Sequence, residues 1–474
     1  MGVLSRRDFL RSSAVAGTGL VIAFIVPRRA EALLAGPAAK KPLPPPNAFL
    51  RIGTDESVTI LLAHSEMGQG IWTTLPMLVA EELDCDWSRV RVEHAPAAPV
   101  YAHTAFGAQM TGGSSTTYSE FERYRVVGAT ARQLLVRAAA EQWKTDAAKL
   151  RVENGYVIGG DRRASFGQLA ERAAGLPTPE KVTLKSPDRW RLIGKPMRRL
   201  DTPEKITGRA IFGIDVQFPG LRVAMVSRSP AFGGTLRSFD ATAAKKVAGV
   251  EQVVQVPSGV AVIATNTWAA RLGRAALKTD WDLGPGATLD TEAMRAEARA
   301  QSRTDGLVAL TKGNVSAALG KSSRRLEADY DVPYLAHAPM EPLNCTVKVE
   351  GDRCEIWTGT QFQTMDQKVA AEVLGLRPEQ VSIHTTFLGG GFGRRATPSS
   401  DFVREAAEVA KAARVPVKVV WTRDDDIRGG YYRPMFVHRV EAGLDAARRP
   451  VAWRQNIAGQ PLPRPGGAPD DSGV

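Results

Sequence analysis

The stretch Ser65-Glu66-Met67-Gly68-Gln69-Gly70 is the most informative part of this sequence. Residues 58–63, which precede it, are apolar and β-prone, and this favours a strand. The sequence takes on a helical pattern soon after Ile71. The two glycines therefore mark a corner at which a strand is expected to give way to a helix.

A second glycine-rich stretch has the same setting. Leu388-Gly389-Gly390-Gly391-Phe392-Gly393-Arg394-Arg395 follows residues 381–388, which alternate between apolar and polar side chains as a strand does. Asp401–Ala413 then shows the spacing of an amphipathic helix. Both glycine stretches are thus predicted to lie between a strand and a helix, although they are far apart in the sequence.

Glycine at such a corner lets the backbone approach a ligand closely and adopt positive φ at little steric cost. Successive backbone N–H groups and the N-terminus of a following helix form a seat for anionic groups such as phosphate. Two such seats in one chain predict a large organic cofactor that carries phosphate. The alternative for Gly389, Gly390 and Gly391 is that they only permit a tight turn.

The first 32 residues have the pattern of an export signal. Ser5-Arg6-Arg7-Asp8-Phe9-Leu10 is a twin-arginine motif, residues 14–26 are apolar, and Ala30-Glu31-Ala32 fits a cleavage site. Because that pathway carries folded proteins, we expect a periplasmic protein that receives its cofactor before export. The alternative is an uncleaved membrane anchor, although the apolar stretch is short for a span.

Composition limits the class of protein. A chain of 474 residues is long enough for about two to four domains. The formal net charge is +12, and the basic residues are scattered. Since no lysine and arginine block is interleaved with aromatic residues, nucleic-acid binding is not expected. Diffuse positive charge fits an anionic cofactor or an acidic partner surface.

The cysteines and histidines do not predict a metal site held by protein ligands. Cys85, Cys345 and Cys354 form no Cys-x-x-Cys pair, which argues against an iron–sulfur cluster in this chain. Residues 347–357 are typical of a hairpin that turns at Gly351-Asp352. That register puts Cys354 opposite Val349 and disfavours a Cys345–Cys354 disulfide. The six histidines lack the i, i+4 spacing of a zinc pair.

Strands and helices alternate without the regular spacing of a doubly wound sheet, which predicts an α+β fold with mixed sheets. The first helix should end near Leu83 with Pro76 in its first turn, and a long helix should cover residues 119–143. The predicted segments are an export signal (1–32), a proline-rich linker (33–47), a mixed segment (48–180), a small α/β domain (190–285), a connector (286–323), a second mixed domain (324–454) and a disordered tail (455–474).

Six segments together resemble the large subunit of the molybdenum hydroxylases, the xanthine dehydrogenase and aldehyde oxidase family. The isoquinoline 1-oxidoreductase β-subunit type is the most similar branch, because there too the Gly-Gln-Gly loop precedes the Gly-Gly-Gly-Phe-Gly loop. The likeness extends from residue 50 to about residue 453. The segments are Glu66-Met67-Gly68-Gln69-Gly70, Gln109-Met110-Thr111-Gly112-Gly113-Ser114, Asp201-Thr202-Pro203-Glu204-Lys205-Ile206-Thr207-Gly208, Tyr334-Leu335-Ala336-His337-Ala338-Pro339-Met340-Glu341-Pro342, Thr358-Gly359-Thr360-Gln361 and the Gly389 loop.

The resemblance implies molybdopterin-binding domains in segments 48–180 and 324–454 and a hammerhead-like α/β domain in 190–285. The implied cofactor is molybdopterin with molybdenum, in the cytosine dinucleotide form. The implied reaction hydroxylates N-heterocycles or aldehydes with oxygen from water, and electrons leave through a small [2Fe-2S] subunit. Gln361 matches the glutamine that hydrogen-bonds an oxo ligand of molybdenum. The matching cofactor-binding residues are Gly68, Gln69, Gly70, Gly112, Gly113, Ser114, Gly389, Gly390, Gly391, Phe392, Gly393 and Arg394.

One feature of the family has no counterpart in this sequence. The family's catalytic glutamate lies in a Gly-Val-Gly-Glu segment near the C-terminus, and no such segment occurs here. The likeness fades after Trp453, and the following residues are rich in Pro and Gly. The sequence therefore also fits a truncated chain that binds the cofactor or a partner but does not turn over, since a carboxylate base is missing.

For several of these polar residues, a second interpretation stays open. Gln69 could cap the helix that follows it, and Gln361 could be an ordinary amide at a strand end. Arg394 and Arg395 could bind phosphate, contact a partner or be solvated.

Acidic residues near the motifs are expected to be structural. Glu341 is a candidate base, but a structural carboxylate at a strand end is the favoured interpretation, and Glu66 is similar. Residues 424–426, all aspartate, are expected to form a solvated turn and no metal site.

Overall fold

The computed structural model describes residues 19–23 and 48–460. The fold is α+β with mixed sheets, as the sequence predicts. The strands are β1 (Gly19–Ala23), β2 (Ala48–Gly53), β3 (Val58–Leu62), β4 (Val90–His94), β5 (Arg151–Glu153), β6 (Tyr156–Gly159), β7 (Arg162–Ser165), β8 (Arg222–Arg228), β9 (Thr235–Asp240), β10 (Val250–Val256), β11 (Gly259–Ala264), β12 (Lys278–Asp282), β13 (Arg324–Val332), β14 (Asn344–Glu350), β15 (Arg353–Thr358), β16 (Val381–Thr385), β17 (Val417–Val420), β18 (Phe436–Leu444) and β19 (Pro450–Gly459).

The helices vary in length from single turns to one long rod. Within residues 19–23 and 48–460, none of them combines the length and the apolar character that a membrane crossing needs. The α-helices are α1 (Ile71–Leu83), α2 (Thr116–Trp143), α3 (Phe166–Ala174), α4 (Thr202–Ile206), α5 (Thr267–Ala275), α6 (Thr291–Gln301), α7 (Val315–Lys321), α8 (Gln363–Leu374), α9 (Asp401–Ala413) and α10 (Arg423–Arg428).

The described residues cluster into two compact units. Unit 1 holds the described residues through Ser227 together with Ala241–Leu277 and Pro339–Trp421. Unit 2 holds Arg228–Asp240, Lys278–Ala338 and the described residues from Thr422 onward. The segment boundaries inferred from the sequence stay predictions.

Unit 1 contains a seven-stranded mixed sheet in the order β10-β11-β8-β17-β14-β15-β16. The pairs β8/β17 and β15/β16 are parallel, whereas β14 is antiparallel to both of its neighbours. Helix α9 is amphipathic, and its Phe402 and Val403 join one buried apolar cluster with Val347 of β14 and Val419 of β17. Strands from the predicted segments 190–285 and 324–454 thus share one sheet.

A four-stranded sheet in the order β1-β2-β3-β4 forms the other main layer of unit 1. All five residues of β3 are buried, and α1 and α2 pack in the same apolar cluster through residues such as Leu75 and Val127. Strand β1 lies within the apolar part of the predicted export signal and pairs antiparallel with β2. This pairing does not test export, which stays a prediction.

The hairpin of β14 and β15 has the predicted register, since Val349 lies opposite Cys354. All three cysteines are buried and free, so Cys345 and Cys354 form no disulfide in the structure. The position of Pro76 was predicted wrongly. Helix α1 begins at Ile71, so Pro76 lies inside it, beyond the first turn, where the ring removes one helical hydrogen bond.

Unit 2 contains a three-stranded antiparallel sheet in the order β13-β18-β19 and a two-stranded ribbon of β9 and β12. Helix α6 covers one face of the larger sheet, where Ala298 joins a buried cluster with Val437 and Ala458. Trp453 and Ile457 of β19 are more than half exposed.

The expected solvated turn at residues 424–426 is instead the beginning of helix α10. Thr422 caps this helix, and the Thr422 and Asp425 side chains bond each other's backbone N–H groups as a capping box. The helical turn points Asp426 inward, where it is 1% exposed and its Oδ1 lies 2.7 Å from His337 Nε2. The prediction was therefore wrong for Asp426, although Asp424 is exposed.

Candidate cofactor-binding site

The loop 65–70 connects β3 to α1, as the sequence predicts. Gly68 and Gly70 have φ of 110° and 98°, a conformation that other residues rarely adopt. A Cβ built on either glycine would meet no atom within 4 Å. These two glycines are therefore required by the backbone conformation and not by crowding, and the loop borders open space.

The Glu66 side chain shapes this loop. Its carboxylate is fully buried and accepts the N–H groups of Gly68 at 2.8 Å, Gly70 at 3.2 Å and Trp72 at 2.9 Å. An acidic side chain at a helix N-terminus satisfies N–H groups that lack a helical partner. Glu66 is thus the structural carboxylate that the sequence favours.

Gln69 closes the loop upon itself. Its Oε1 accepts the Met67 N–H at 2.8 Å, and its Nε2 donates to the Ser65 carbonyl at 2.9 Å. The alternative that Gln69 caps α1 is wrong, because Gly70 occupies the cap position and no side chain bonds there. Its exposed side chain leaves the proposed contact with a cofactor as a prediction.

The Gly389 loop is crowded at its three consecutive glycines, and several of its residues have positive φ. A Cβ on Gly389 would lie 2.3 Å from Glu341 Cβ, and one on Gly391 would lie 2.4 Å from Gln361 Oε1. Gly390 has a φ of 101°, and Phe392, which is 75% exposed, has a φ of 55°. Glycine at these positions thus allows close packing against Glu341 and Gln361 in addition to a turn.

Three consecutive N–H groups of this loop, those of Gly390, Gly391 and Phe392, donate to no acceptor within the described residues. Neighbouring N–H groups of this kind are the usual donors to an anionic ligand. The N–H of Gly389, in contrast, is used by Glu341 Oε2 at 3.0 Å.

Gln361 lies between the glycine loops and is only 1% exposed. Its Oε1 accepts the Gly393 N–H at 3.2 Å, and its Nε2 donates to the Thr111 carbonyl at 2.9 Å. Its backbone carbonyl accepts the Thr111 N–H at 2.8 Å. Gln361 is therefore not an unconstrained strand-end amide, and its Nε2 carries a second N–H for another acceptor.

The turn that contains Gly112, Gly113 and Ser114 lies against Gln361 and the first glycine loop. Thr111 Oγ1 accepts the Ser65 N–H at 2.9 Å, which ties the turn to the first glycine loop. Gly113 and Ser114 have φ of 62° and 53°, and helix α2 begins at Thr116, earlier than predicted. The turn thus leads directly into the N-terminus of a long helix.

Arg394 and Arg395 are both buried, so the alternative that they are solvated is wrong. The two terminal nitrogens of Arg394 donate to Asp401 at 2.8 and 2.6 Å. Arg395 donates to the carbonyl oxygens of Gly390 and Gly359 and to Glu341. These contacts brace the loop, and the predicted contact between Arg394 and the cofactor stays a prediction.

Glu341 is the structural carboxylate that the sequence favours. One of its oxygens accepts the Ile214 N–H at 3.0 Å and the Asn344 amide at 2.9 Å. The other accepts the Gly389 N–H and the Arg395 guanidinium, both at 3.0 Å. With both oxygens engaged and 7% exposure, Glu341 has no lone pair directed at a substrate.

Sequence reasoning assigned no role to two titratable groups beside the loops, the partly buried His94 and the buried Asp366. Burial lowers the pKa of His94 to about 3, and its Nε2 accepts the Glu66 N–H at 3.3 Å. Burial raises the pKa of Asp366 to about 7, although a hydrogen bond from Thr360 opposes the rise. Isolated acidic and histidine residues carry no motif, so only their place in the fold reveals them.

Models of known protein families match most of this chain. Two models, each described as a molybdopterin cofactor-binding domain, match residues 13–216 and 299–460 and together cover more than half of the chain. The chain belongs to the molybdenum hydroxylase family. The resemblance inferred from the sequence motifs is therefore confirmed.

Curated relatives of this molybdenum hydroxylase chain are longer than it is. It is 34% identical to isoquinoline 1-oxidoreductase subunit beta of Brevundimonas diminuta, over 87% of this chain and 59% of the relative. It is 31% identical to the membrane-bound aldehyde dehydrogenase [pyrroloquinoline-quinone] of Gluconacetobacter polyoxogenes, over 97% of this chain and 61% of the relative. The chain thus spans about three fifths of the length of these relatives. Quinoline 2-oxidoreductase from Pseudomonas putida 86 aligns in structure with a TM-score of 0.44 and 18% identity, over 56% of this chain and 39% of that chain.

The residues of this molybdenum hydroxylase chain fit a molybdopterin. Gly68, Gly70 and Gly393 have positive φ and border open space, as a cradle for a bulky ligand requires. The Nε2 group of Gln109, which is fully buried, has no hydrogen-bond partner among the described residues. Since a buried donor is costly when it is left unpaired, this atom fits a ligand that is rich in acceptors. Within the described residues, no group of three or more His, Cys, Asp or Glu side chains is placed to hold a metal ion.

Proposed function

We propose that this chain is the molybdopterin-binding large subunit of an exported oxidoreductase that hydroxylates N-heterocycles or aldehydes with oxygen from water. The observation that carries the proposal is the meeting of the loops 65–70 and 389–395 at Gln361. The turn at residues 111–114 joins them through Thr111. Three loops that are distant in sequence thus surround one buried amide.

The chain's own residues would bind and orient the cofactor. The free N–H groups of Gly390, Gly391 and Phe392 would donate to its acceptors. The loop with Gly68 and Gly70 would lie against the cofactor without donating those two N–H groups, because Glu66 already accepts them. Gln361 is held by Thr111 and Gly393, so its second N–H would donate in a fixed direction. When bound, the cofactor supplies the two-electron oxidation of a carbon atom, with oxygen taken from water.

The proposal includes a small [2Fe-2S] subunit that receives the electrons. It is supported by the sequence, which has three cysteines and no Cys-x-x-Cys pair, and by the name of a relative as a subunit beta. The cytosine dinucleotide form of the cofactor is proposed on the resemblance of the motifs.

Export is proposed on Ser5-Arg6-Arg7-Asp8-Phe9-Leu10, which lies outside the described residues. Replacement of both Arg6 and Arg7 by lysine should keep the protein in the cytoplasmic fraction of a host with the twin-arginine pathway. The unmodified chain should appear in the periplasmic fraction. Periplasmic recovery of the doubly substituted chain would contradict this part of the proposal.

A second candidate function is a subunit that binds the cofactor but does not turn over. The observation that favours it is the engagement of the two glutamates beside the loops. Glu66 accepts three backbone N–H groups, and Glu341 bonds Gly389 and Arg395. Neither is available as the general base that water activation needs.

The test is to express the 474-residue chain in a host that makes the molybdenum cofactor, alone and with a [2Fe-2S] subunit. Molybdenum and pterin are measured per folded chain, and oxidation of an aldehyde and of an N-heterocycle is followed with a dye acceptor. Bound cofactor with turnover supports the first proposal, and bound cofactor without turnover supports the second. A folded chain without molybdenum and pterin would overturn both.

A further inference from the structure

Arg199 reaches the first glycine loop from the predicted 190–285 segment. Its Nη1 donates to the Gly68 carbonyl at 3.1 Å, and its Nη2 donates to Glu66 Oε1 at 3.0 Å. The same guanidinium makes two further bonds to Asp201, at 3.0 and 2.7 Å. One side chain thus holds the loop backbone, the carboxylate that shapes the loop and a second carboxylate.

Asp201 and Lys205 complete the arrangement around Glu66. Asp201 is fully buried, and Lys205, one turn later on α4, lies 2.6 Å from its Oδ2 and 3.7 Å from Glu66 Oε1. Burial opposes ionisation of Asp201, but hydrogen bonds from Arg199 and Lys205 outweigh it and lower its pKa. The negative charges of the two buried carboxylates are therefore balanced by the positive charges of Arg199 and Lys205.

Removal of Arg199 would change the loop through Glu66. The carboxylate would keep its bonds to the N–H groups of Gly68, Gly70 and Trp72 but lose the guanidinium that fixes its position. The Gly68 carbonyl would lose its partner at the same time. An arginine suits this role because its planar fork donates from three separate nitrogens, whereas a lysine donates from a single nitrogen.

We propose that Arg199 is a positioning residue for cofactor binding: it fixes Glu66 and, through it, the conformation of the Gly68 loop. This inference rests on the proposed function of the chain as a molybdopterin-binding subunit. Arg199 touches only protein groups, and it acts on the cofactor through the loop. Partners of this kind around a cofactor site often affect affinity by about 10-fold or more.

The chain offers a matched control in Arg222. This residue also pairs with a glutamate, Glu251, at 2.6 Å, and its side chain is 32% exposed against 39% for Arg199. It lies on β8 and contacts no glycine loop. Arg222→Ala therefore removes an arginine–glutamate ion pair without touching Glu66, although Glu251 is 37% exposed and Glu66 is fully buried.

The experiment compares the full-length chain with Arg199→Ala, Arg199→Lys and Arg222→Ala. Amide exchange of the peptide that covers residues 66–73 is followed by mass spectrometry in the cofactor-free chain. Molybdenum per chain is measured after expression with cofactor supply. We expect Arg199→Ala to exchange about 10-fold faster in this peptide and to bind the cofactor about 10-fold more weakly. Arg199→Lys should be intermediate, and Arg222→Ala should match the unmodified chain.

The possible failures can be told apart. If Arg199→Ala retains as much molybdenum as Arg222→Ala, or exchanges no faster than it, Arg199 has no positioning role. If the unmodified chain and Arg222→Ala both lack molybdenum, the proposed function fails, and the exchange data still report whether Arg199 orders the loop. If Arg199→Ala does not fold, as circular dichroism would reveal, Arg199→Lys decides, because it keeps the positive charge but loses the fork.

Discussion

The backbone N–H of Leu388 donates to the carbonyl oxygen of Glu66 across 3.2 Å. This bond joins the two glycine loops of unit 1 directly, without a ligand between them. Met67 adds a second contact, since its Sδ would lie 2.9 Å from a Cβ on Gly391. The loops are therefore one packed structure, and a change in either is expected to affect the other.

Gly391→Ala is expected to distort this junction. The added Cβ would lie 2.4 Å from Gln361 Oε1. The Gln361 amide cannot move without losing the bond of its Nε2 to Thr111 and that of its Oε1 to Gly393. We expect the free energy of unfolding to fall by about 1–3 kcal/mol, and cofactor content to fall with it. Chemical denaturation and molybdenum analysis measure the two effects. Gly306→Ala is the control, since its Cβ would meet no atom within 4 Å; equal losses in both variants would contradict the explanation.

Glu341→Gln tests whether this carboxylate is structural. The amide would place a donor against the Gly389 N–H or the Arg395 guanidinium, so we expect a loss of about 1–3 kcal/mol in the cofactor-free chain. Glu350→Gln, at an exposed end of β14, should change stability by less than about 0.5 kcal/mol. A Glu341→Gln chain of unaltered stability that loses only turnover would instead identify Glu341 as a base.

Asp366 should make stability depend on pH. Its pKa rises from 3.8 in the unfolded chain to about 7 in the fold, because burial disfavours the charged form. The folded protein thus holds a proton that the unfolded chain has released, and the free energy of unfolding should fall as pH rises from about 4 to about 7. Asp366→Asn removes the titrating group and should flatten this part of the curve, by an amount on the order of 4 kcal/mol.

Urea denaturation at several pH values measures this dependence. Asp161→Asn is the control, because it makes the same chemical change at an exposed position and should keep the slope of the unmodified chain. An unaltered slope in Asp366→Asn would show that another group causes it.

The burial of Asp426 predicts that two aspartates of helix α10 contribute unequally to the free energy of unfolding. Asp426→Asn weakens the contact with His337 Nε2, so we expect a loss of about 1–3 kcal/mol. Asp424→Asn, two residues earlier and exposed, should cost less than about 0.5 kcal/mol. Thermal unfolding of the two variants measures the difference, and equal stability would refute the inward orientation of Asp426.

Local patterns predicted much of the fold. Helix α9 has the predicted bounds Asp401–Ala413, and the corner between β3 and α1 lies at the predicted glycines. Such features follow from side-chain periodicity and from the φ freedom of glycine, both of which are visible in a short window of sequence. The place of Pro76 was mistaken, because a proline in the first turn is only a tendency.

The orientation of polar side chains could not be predicted in the same way. Arg394 and Arg395 lie next to each other in sequence, but their partners Asp401 and Glu341 are chosen by the folded structure. The closure of the loop by Gln69 and the contact of Arg199 with Glu66 are likewise products of packing. Motifs therefore identified where the site lies, and tertiary contacts decide what each polar group does.

Strand β17 has a consequence for the order in which the molecule can be made. It lies between β8 and β14 in the seven-stranded sheet, yet residues 417–420 leave the ribosome after all its other strands. The two parts of the sheet on either side of β17 therefore cannot be joined, and each keeps an open edge, until residues 417–420 have been synthesised. Protection by a chaperone during synthesis would be most needed in that interval.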